Sequence, residues 1–182
     1  MSDFDQAYNF LCINEGGYQK DGHDKGGATK YGLSANSGYL ELAIKAGIVP
    51  NGTTIESITQ EQVKETTKHF FWDSLNIGII KSQALANKIL DSVYSMQSYS
   101  NGGYCGIKCL QRAVRSYSNN ESSLVEDGIF GQNTINEVNV AFTEPLLCAY
   151  RSEIAASRRL DYQRNQEYGE KYIKGWLNRA YK

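Results

Sequence analysis

Glu15 is the side chain of this sequence best suited to acid–base chemistry, because it stands where a helical pattern stops. Apolar residues recur at helical spacing through residues 3–14, and two glycines follow Glu15 directly. A carboxylate at the C-terminal end of a helix meets the negative end of the helix dipole, which favours the protonated form. A carboxyl group that stays protonated near neutral pH can act as the general acid of glycoside hydrolysis. The alternative interpretation is an ordinary exposed glutamate on a surface loop.

Two more carboxylates follow Glu15 in a glycine-rich segment, Asp21 at six positions and Asp24 at nine. The glycines of residues 16–33 predict a short β-hairpin or structured loop. Such a hairpin could bring either aspartate opposite Glu15, at about 6.5–9.5 Å in an inverting glycosidase or about 5–5.5 Å in a retaining one. Asp21 precedes a glycine and fits turn formation, so Asp24 is the preferred catalytic candidate. Thr29 could hold a water molecule or a sugar hydroxyl, or be only a strand residue.

The cysteines and histidines exclude several other kinds of site. With only two histidines, His23 and His69, the sequence cannot build a three-histidine zinc site. The four cysteines lack CxxC spacing, which argues against a zinc knuckle or a thioredoxin-type redox site, and buried thiols are expected. Cys12 with His23 could form a cysteine peptidase pair, although a small buried side chain is the favoured interpretation of Cys12. We therefore predict no metal and no cofactor.

The composition of the chain limits which classes of binding partner and which cellular locations are expected. The 182 residues fit one compact domain, or one with a small added lobe, and the formal net charge is −1. This balance gives no basic footprint for nucleic acid or for an anionic membrane surface. The first residues, MSDFDQAY, do not form a secretory signal, and no apolar run could span a bilayer. We expect a monomer that is made in the cytoplasm and does not insert into membranes.

The elements that must position Glu15 are predominantly helices. Thr59 and Gln62 have the spacing of a capping box, which predicts the start of one of these helices. The cleanest amphipathic pattern spans residues 82–98 and predicts a central helix. Helical patterns occupy residues 3–14, 37–46, 59–72, 82–98, 107–117, 133–142, 145–160 and 167–180. The prediction is a mainly α chain with one glycine-rich excursion near its start.

The ordered motifs of the chain resemble those of a known family. Residues 15–33 read EGGYQKDGHDKGGATKYGL, which resembles the EGGY…GGATxYGI pattern of the N-acetylmuramidases of glycoside hydrolase family 108. Later segments resemble the same family in order along the chain: FWD at 71–73, the Asp91 and Val93 pair, LQRA at 110–113, DGIFG at 127–131 with Thr134, and GWLNR at 175–179. The family includes phage endolysins and "secretion activator" muramidases, which open the wall for protein export.

The resemblance implies a fold and an assignment of roles. The fold would be mainly α and lysozyme-like, with a small β-hairpin or glycine-rich loop next to the active-site cleft. Residues 1–100 would be the muramidase catalytic region, and residues 101–182 a helical peptidoglycan-binding region packed on it as one compact unit. Glu15 would be the catalytic acid, and Asp24 and Thr29 match a weaker analogy with small phage lysozymes. The candidate residues for the glycan groove are Tyr18, Tyr31 and Trp72, each of which could equally be core. The candidate residues for binding the stem peptides are Gln111, Asp127 and Thr134, and the alternative there is a plain helix–helix connection.

The activity implied is hydrolysis of the β-1,4 bond between N-acetylmuramic acid and N-acetylglucosamine in peptidoglycan. Expected partners are the glycan strands and their stem peptides. The resemblance also implies release through a holin-like pore and action in the periplasm or cell wall, for lysis or for protein export. Three alternatives stay open: a lytic transglycosylase, a non-catalytic peptidoglycan-binding module, and a Cys/His peptidase acting on wall peptides.

Overall fold

The computed structural model describes residues 1–14, 29–96, 103–118 and 123–182. The chain divides into two compact units, one of residues 3–77 and one of residues 1–2 with 78–182. The helix that precedes residue 97 therefore groups with the C-terminal unit, whereas the sequence-based division at residue 100 assigned it to the first region. The roles assigned to the two regions stay predictions.

The first unit is built from short helices and one hairpin. Its elements are α1 (Phe4–Asn14), β1 (Thr29–Lys30), β2 (Leu33–Ser34), a 3-10 turn (Ala35–Ser37), α2 (Tyr39–Lys45), α3 (Gln60–Thr67) and a π-helical turn (Lys68–Asp73). A further 3-10 turn, Ile77–Ile79, follows where the two units divide in the sequence.

Helix α1 confirms the prediction made over residues 3–14. Asp3 caps its start, because the Asp3 Oδ1 accepts a hydrogen bond from the Gln6 backbone N–H at 2.9 Å. The buried face consists of Ala7, Tyr8 and Leu11, which recur at the spacing of one helical stripe.

The described end of the glycine-rich segment is a tight antiparallel hairpin. Thr29 pairs with Ser34 and Lys30 with Leu33, which leaves Tyr31 and Gly32 as a two-residue turn. Both turn residues have positive φ, 51° and 81°, as the turn types that match the twist of a hairpin require. The hairpin prediction is confirmed for residues 29–34, and residues 15–28 lie outside the described part of the chain.

One hydrophobic cluster of the first unit lies between the hairpin, α2 and α3. It consists of six buried apolar side chains: Leu33, Ala43, Val49, Ile55, Ile58 and Val63. The predicted capping box opens α3, with Thr59 N donating to Gln62 Oε1 at 2.9 Å and Gln62 N donating to Thr59 Oγ1 at 3.2 Å. The helix predicted to run to residue 72 widens after Thr67 into the π-helical turn.

The second unit contains five helices among its described residues. They are α4 (Gln83–Ser95), α5 (Cys105–Tyr117), α6 (Gln132–Val140), α7 (Thr143–Arg164) and α8 (Gln166–Tyr181). Ser82 caps α4 by accepting from the Leu85 N–H, and α5 and α8 both pack on α7. Gly106 allows α5 to approach α4 closely, because a Cβ at that position would lie 2.5 Å from the Ser92 Oγ.

A buried ionic cluster ties α8 to α4. The Lys88 Nζ lies 3.3 Å from the Asp91 Oδ2 and donates to the Arg179 carbonyl oxygen at 2.6 Å. The Arg179 Nε donates to the Asp91 Oδ1 at 2.9 Å. The Lys88 and Asp91 side chains are only 1% and 2% exposed. Asp91 and Arg179 belong to two motifs far apart in the sequence, and the fold brings these motifs into contact.

The described residues also show whether any helix could span a membrane and whether the cysteines are bonded. Among them, no helix is both long and apolar enough to span a bilayer. All four cysteines are free thiols, including the Cys105 and Cys109 pair on α5.

Candidate active site and peptide pocket

The predicted acid and its nearest partners lie outside the described residues. These are Glu15, Tyr18 and Asp24, in the segment between Asn14 and Thr29. Their roles stay predictions, and the elements on either side of that segment provide the structural frame.

Helix α1, which leads into this segment, is held in place within the first unit from its first turns. The Lys64 Nζ on α3 makes an ion pair with the Asp5 Oδ1 at 2.9 Å and lies 6.0 Å from the centroid of the Tyr8 ring. Phe4 packs edge-on against Trp72, with ring centroids 5.6 Å apart. A functional side chain that follows α1 in sequence is thus attached to a well-anchored element.

Thr29 and Tyr31 lie on the hairpin that follows the segment. Thr29 is the first residue of β1 and is half-buried. Tyr31 packs against the core of the first unit, and the Lys30 Nζ lies 5.6 Å from the centroid of its ring. A left-handed conformation costs a residue other than glycine about 1–2 kcal/mol, and such strain clusters at ligand sites. Tyr31 remains a candidate for the glycan groove.

Trp72 lies in the core rather than on a surface. It is 6% exposed and packs on Phe4, while its neighbour Phe71 packs on Tyr39 with centroids 4.6 Å apart. The Lys68 Nζ and the Asp73 Oδ2, five residues apart, meet at 2.8 Å across the π-helical turn that carries these rings. Trp72 therefore supports α1, and a contact between its ring and a glycan stays a prediction.

Gln111, Asp127 and Thr134, predicted as binding residues, come together in the second unit. The Gln111 Nε2 lies within hydrogen-bond distance of the Asp127 Oδ1 at 2.9 Å, the Ile129 carbonyl at 3.1 Å and the Thr134 Oγ1 at 3.3 Å. The Gly128 N–H donates to the Gln111 Oε1 at 2.8 Å. Both polar ends of this amide are used within the protein.

The same turn stabilises the negative charge of Asp127. The Ile129 backbone N–H donates to the Asp127 Oδ1 at 2.8 Å, and this hydrogen bond, followed by that from Gln111, lowers the pKa of the Asp127 carboxyl below its usual value. The turn at residues 127–129 is therefore rigid, and its carboxylate is ionised at neutral pH.

This turn forms one wall of a pocket of about 520 Å³. The first residues of α6 and the irregular segment before Asp127 form the other walls. Its lining residues are Gln111, Ser123, Leu124, Val125, Asp127, Ile129, Gly131, Gln132, Asn133, Thr134, Asn136 and Glu137.

Sequence reasoning identified the framework of this pocket and missed most of its lining. Asn133, Asn136 and Glu137 lie on α6 and line the pocket, although they belong to no recognised motif. The signal that could have found them is position, since α6 begins directly after the glycine-containing turn.

The described residues do not favour metal or thiol chemistry. Among them, no group of three or more His, Cys, Asp and Glu side chains could hold a metal ion. Burial raises the pKa of the Cys109 thiol to about 11, which keeps it protonated at neutral pH and unsuited to nucleophilic attack.

Comparison with known proteins gives one family match and one similar solved structure. Residues 8–96 match the family model described as glycosyl hydrolase 108. The fold is similar to the structure of Brucella abortus SagA, with a TM-score of 0.69 and 19% sequence identity over 97% of this chain and 88% of that one. This similarity confirms the mainly α, lysozyme-like fold class predicted from the sequence. No curated protein matches the sequence.

Proposed function

We propose that this chain hydrolyses the glycan strands of peptidoglycan, because residues 8–96 match the family model described as glycosyl hydrolase 108. The bond cleaved is the β-1,4 linkage between N-acetylmuramic acid and N-acetylglucosamine. The observation that carries the proposal is the extent of the family match, which includes Glu15, Asp24 and the hairpin at residues 29–34. Glycoside hydrolysis is the class of reaction to which the family belongs.

In the proposed mechanism, Glu15 donates a proton to the leaving glycosidic oxygen. Asp24, together with Thr29, positions the attacking water or stabilises the positive charge that develops on the sugar ring. A positioned general acid contributes about 10²–10⁴-fold to the rate. Helix α1 is anchored through Asp5 and Phe4, and it ends at Asn14. This supports the assignment, because Glu15 is the next residue in the sequence.

Tyrosine side chains are the proposed binding platform for the glycan. Tyr18 and Tyr31 can stack on sugar rings and use their hydroxyl groups for hydrogen bonds. Residues 101–182 are the proposed peptidoglycan-binding region, with the turn at Gln111, Asp127 and Thr134 as its rigid framework. The proposal includes action of the monomeric chain in the periplasm or wall after release through a holin-like pore, for lysis or export.

Mass spectrometry of digested peptidoglycan tests the reaction. Hydrolysis adds one water per broken bond and creates reducing N-acetylmuramic acid ends, which is the expected result. Fragments with 1,6-anhydro ends would instead identify a lytic transglycosylase. New free amines without new reducing ends would identify a peptidase, and an unchanged wall would leave only a binding module. Each of the last three results contradicts the proposal.

A further inference from the structure

The pocket beside the turn at residues 127–129 has the size of a ligand site. Its volume of about 520 Å³ falls within the range of about 300–1,000 Å³ typical of small-molecule sites. It is formed by residues of the second unit alone. Its wall is preformed, because the buried Gln111 amide fixes the turn through Asp127, Gly128 and Ile129.

The polar atoms of that wall are largely committed to the fold. The Gln111 Nε2 and Oε1 both form intramolecular hydrogen bonds, and the buried Thr134 hydroxyl lies between Gln111 and the Ile129 carbonyl. These side chains hold the pocket in shape. The groups that a ligand would meet are those on the exposed side of α6.

The side chains of that face are amides and a carboxylate. Asn133 and Asn136 provide side-chain amides that can pair with peptide groups, and Glu137 is a half-buried carboxylate one turn further along α6. Within the described part of the chain, no hydrogen-bond or ion-pair partner is recorded for the Glu137 side chain. With Asp127, the lining carries two carboxylates, which favours a cationic group on the part of the ligand that faces them.

Part of the pocket lining is apolar. Val125 and Ile129, which line the pocket, are 68% and 53% exposed. No aromatic ring lines the pocket among the residues that the structure describes. Sugars are bound mainly on aromatic faces, so this lining suits a short peptide with small apolar side chains better than a glycan.

We infer that this pocket binds a short peptide that carries a primary ammonium group. Glu137 receives the ammonium, Asn133 and Asn136 pair with the peptide backbone, and Val125 and Ile129 contact apolar side chains of the peptide. This inference rests on the proposed function, because the amine-bearing segment of peptidoglycan is the diamino acid of an uncrosslinked stem peptide. The pocket would thus distinguish uncrosslinked from crosslinked wall.

Isothermal titration calorimetry of the full chain with a synthetic stem tripeptide, N-acetyl-L-Ala–γ-D-Glu–L-Lys amide, whose lysine side chain carries its one primary ammonium group, tests the inference. Glu137→Gln should weaken binding about tenfold, as expected for loss of a charged hydrogen bond. Acetylating the lysine side chain should weaken binding by a similar factor. In the variant, acetylation should have little further effect, because the two changes remove the same contact. The matched control, Glu170→Gln on the exposed face of α8, should bind like the wild type.

Three results would overturn the inference: no binding of the tripeptide, equal binding of its acetylated form, or displacement of the tripeptide by chitotetraose. The glycan reaction is measured separately, through reducing ends released from peptidoglycan. Normal release without tripeptide binding would refute the pocket assignment and leave the proposed function standing. Tripeptide binding without release of reducing ends would support the pocket assignment and refute the proposed function.

Discussion

Gln111 shows how one buried side chain can hold a sequence motif together. It is 1% exposed, and its amide group bonds to the backbone or side chain of several residues around the turn at 127–129. A buried polar group of this kind stabilises the fold only while all its partners are present, because each group left unsatisfied carries a desolvation cost.

Gln111→Ala should therefore lower the free energy of unfolding by about 2–3 kcal/mol, since it leaves the buried Gly128 N–H without its acceptor. Urea denaturation followed by far-ultraviolet circular dichroism measures the change. The control is Gln132→Ala, which removes an exposed amide bonded to Asn136 and should change stability by no more than about 0.5 kcal/mol. Similar effects of the two substitutions would show that the Gln111 network is not a major source of stability.

The two aspartates after Glu15 provide a second prediction at the residue scale. Asp24→Asn should reduce the release of reducing ends from peptidoglycan more than Asp21→Asn does. The reason is that Asp24 is the proposed partner of Glu15, whereas turn formation suffices to explain Asp21, and an asparagine can also form that turn. Equal losses, or a larger loss at Asp21, would reverse the choice of second carboxylate.

At the scale of elements, α4 and α8 are joined through charges removed from water. Burial lowers the pKa of the Lys88 ammonium group, while Asp91 opposes this shift by favouring the charged form. Buried ion pairs often add little net stability, but removing one partner leaves an uncompensated charge in the interior. Asp91 is the partner that both Lys88 and Arg179 share.

Asp91→Ala should consequently destabilise the protein by about 3–5 kcal/mol, as for other broken buried pairs. Thermal and urea unfolding measure this loss. Asp161→Ala is the comparison, because Asp161 pairs with Arg158 and Arg164 while 41% of its side chain is exposed, and the loss there should stay within about 1 kcal/mol. A small effect at Asp91 would mean that the cluster relaxes or admits water.

Local signals account for the elements that the sequence predicted well. The helix over residues 3–14, the capping box at Thr59 and the hairpin in the glycine-rich segment each depend on residues within a few positions, so the sequence alone predicted them. The sequence predicted a regular α-helix after Thr67, but the structure has a π-helical turn there. The prediction missed this turn because the periodicity of apolar residues does not distinguish an α-helix from a π-helical turn.

Long-range contacts account for what the sequence could not provide. Asp91 and Arg179 lie 88 positions apart in the sequence, and their hydrogen bond is visible only in the folded chain. Likewise, Gln111 and Asp127 appeared in the sequence as separate binding candidates, and the structure shows them bonded to each other. For Glu15 and Asp24, the catalytic assignment still depends on sequence pattern and on the family match over residues 8–96.

At the scale of the whole molecule, the balance of charge predicts how the protein binds the wall. The chain has 19 basic and 20 acidic side chains. Two arginines of α7 are engaged within the protein: Arg158 donates to the Ser95 carbonyl and lies 5.3 Å from the centroid of the Trp176 ring, and Arg151 donates to the Lys182 carbonyl. Long-range attraction to an anionic polymer should be weak.

Binding to insoluble peptidoglycan, measured by pull-down, should thus weaken little between low and moderate salt. Salt screens charge attraction over a Debye length of about 8–10 Å, whereas stacking and short hydrogen bonds in a groove are affected much less. A steep fall in binding with salt, partly reversed in an Arg159→Gln variant, would reveal a local basic surface that the net charge conceals.

The role of Glu15 is the central claim, and the rate at which Glu15→Gln releases reducing ends from purified peptidoglycan tests it most directly. The amide is nearly isosteric with the carboxyl group but cannot donate a proton as an acid, so the rate should fall about 10²–10⁴-fold while the circular dichroism spectrum and unfolding midpoint stay unchanged. Glu41→Gln, an exposed substitution on α2 of the same unit, should retain wild-type activity. If Glu15→Gln keeps more than about a tenth of the wild-type rate, well above what the loss of a general acid allows, Glu15 is not the catalytic acid.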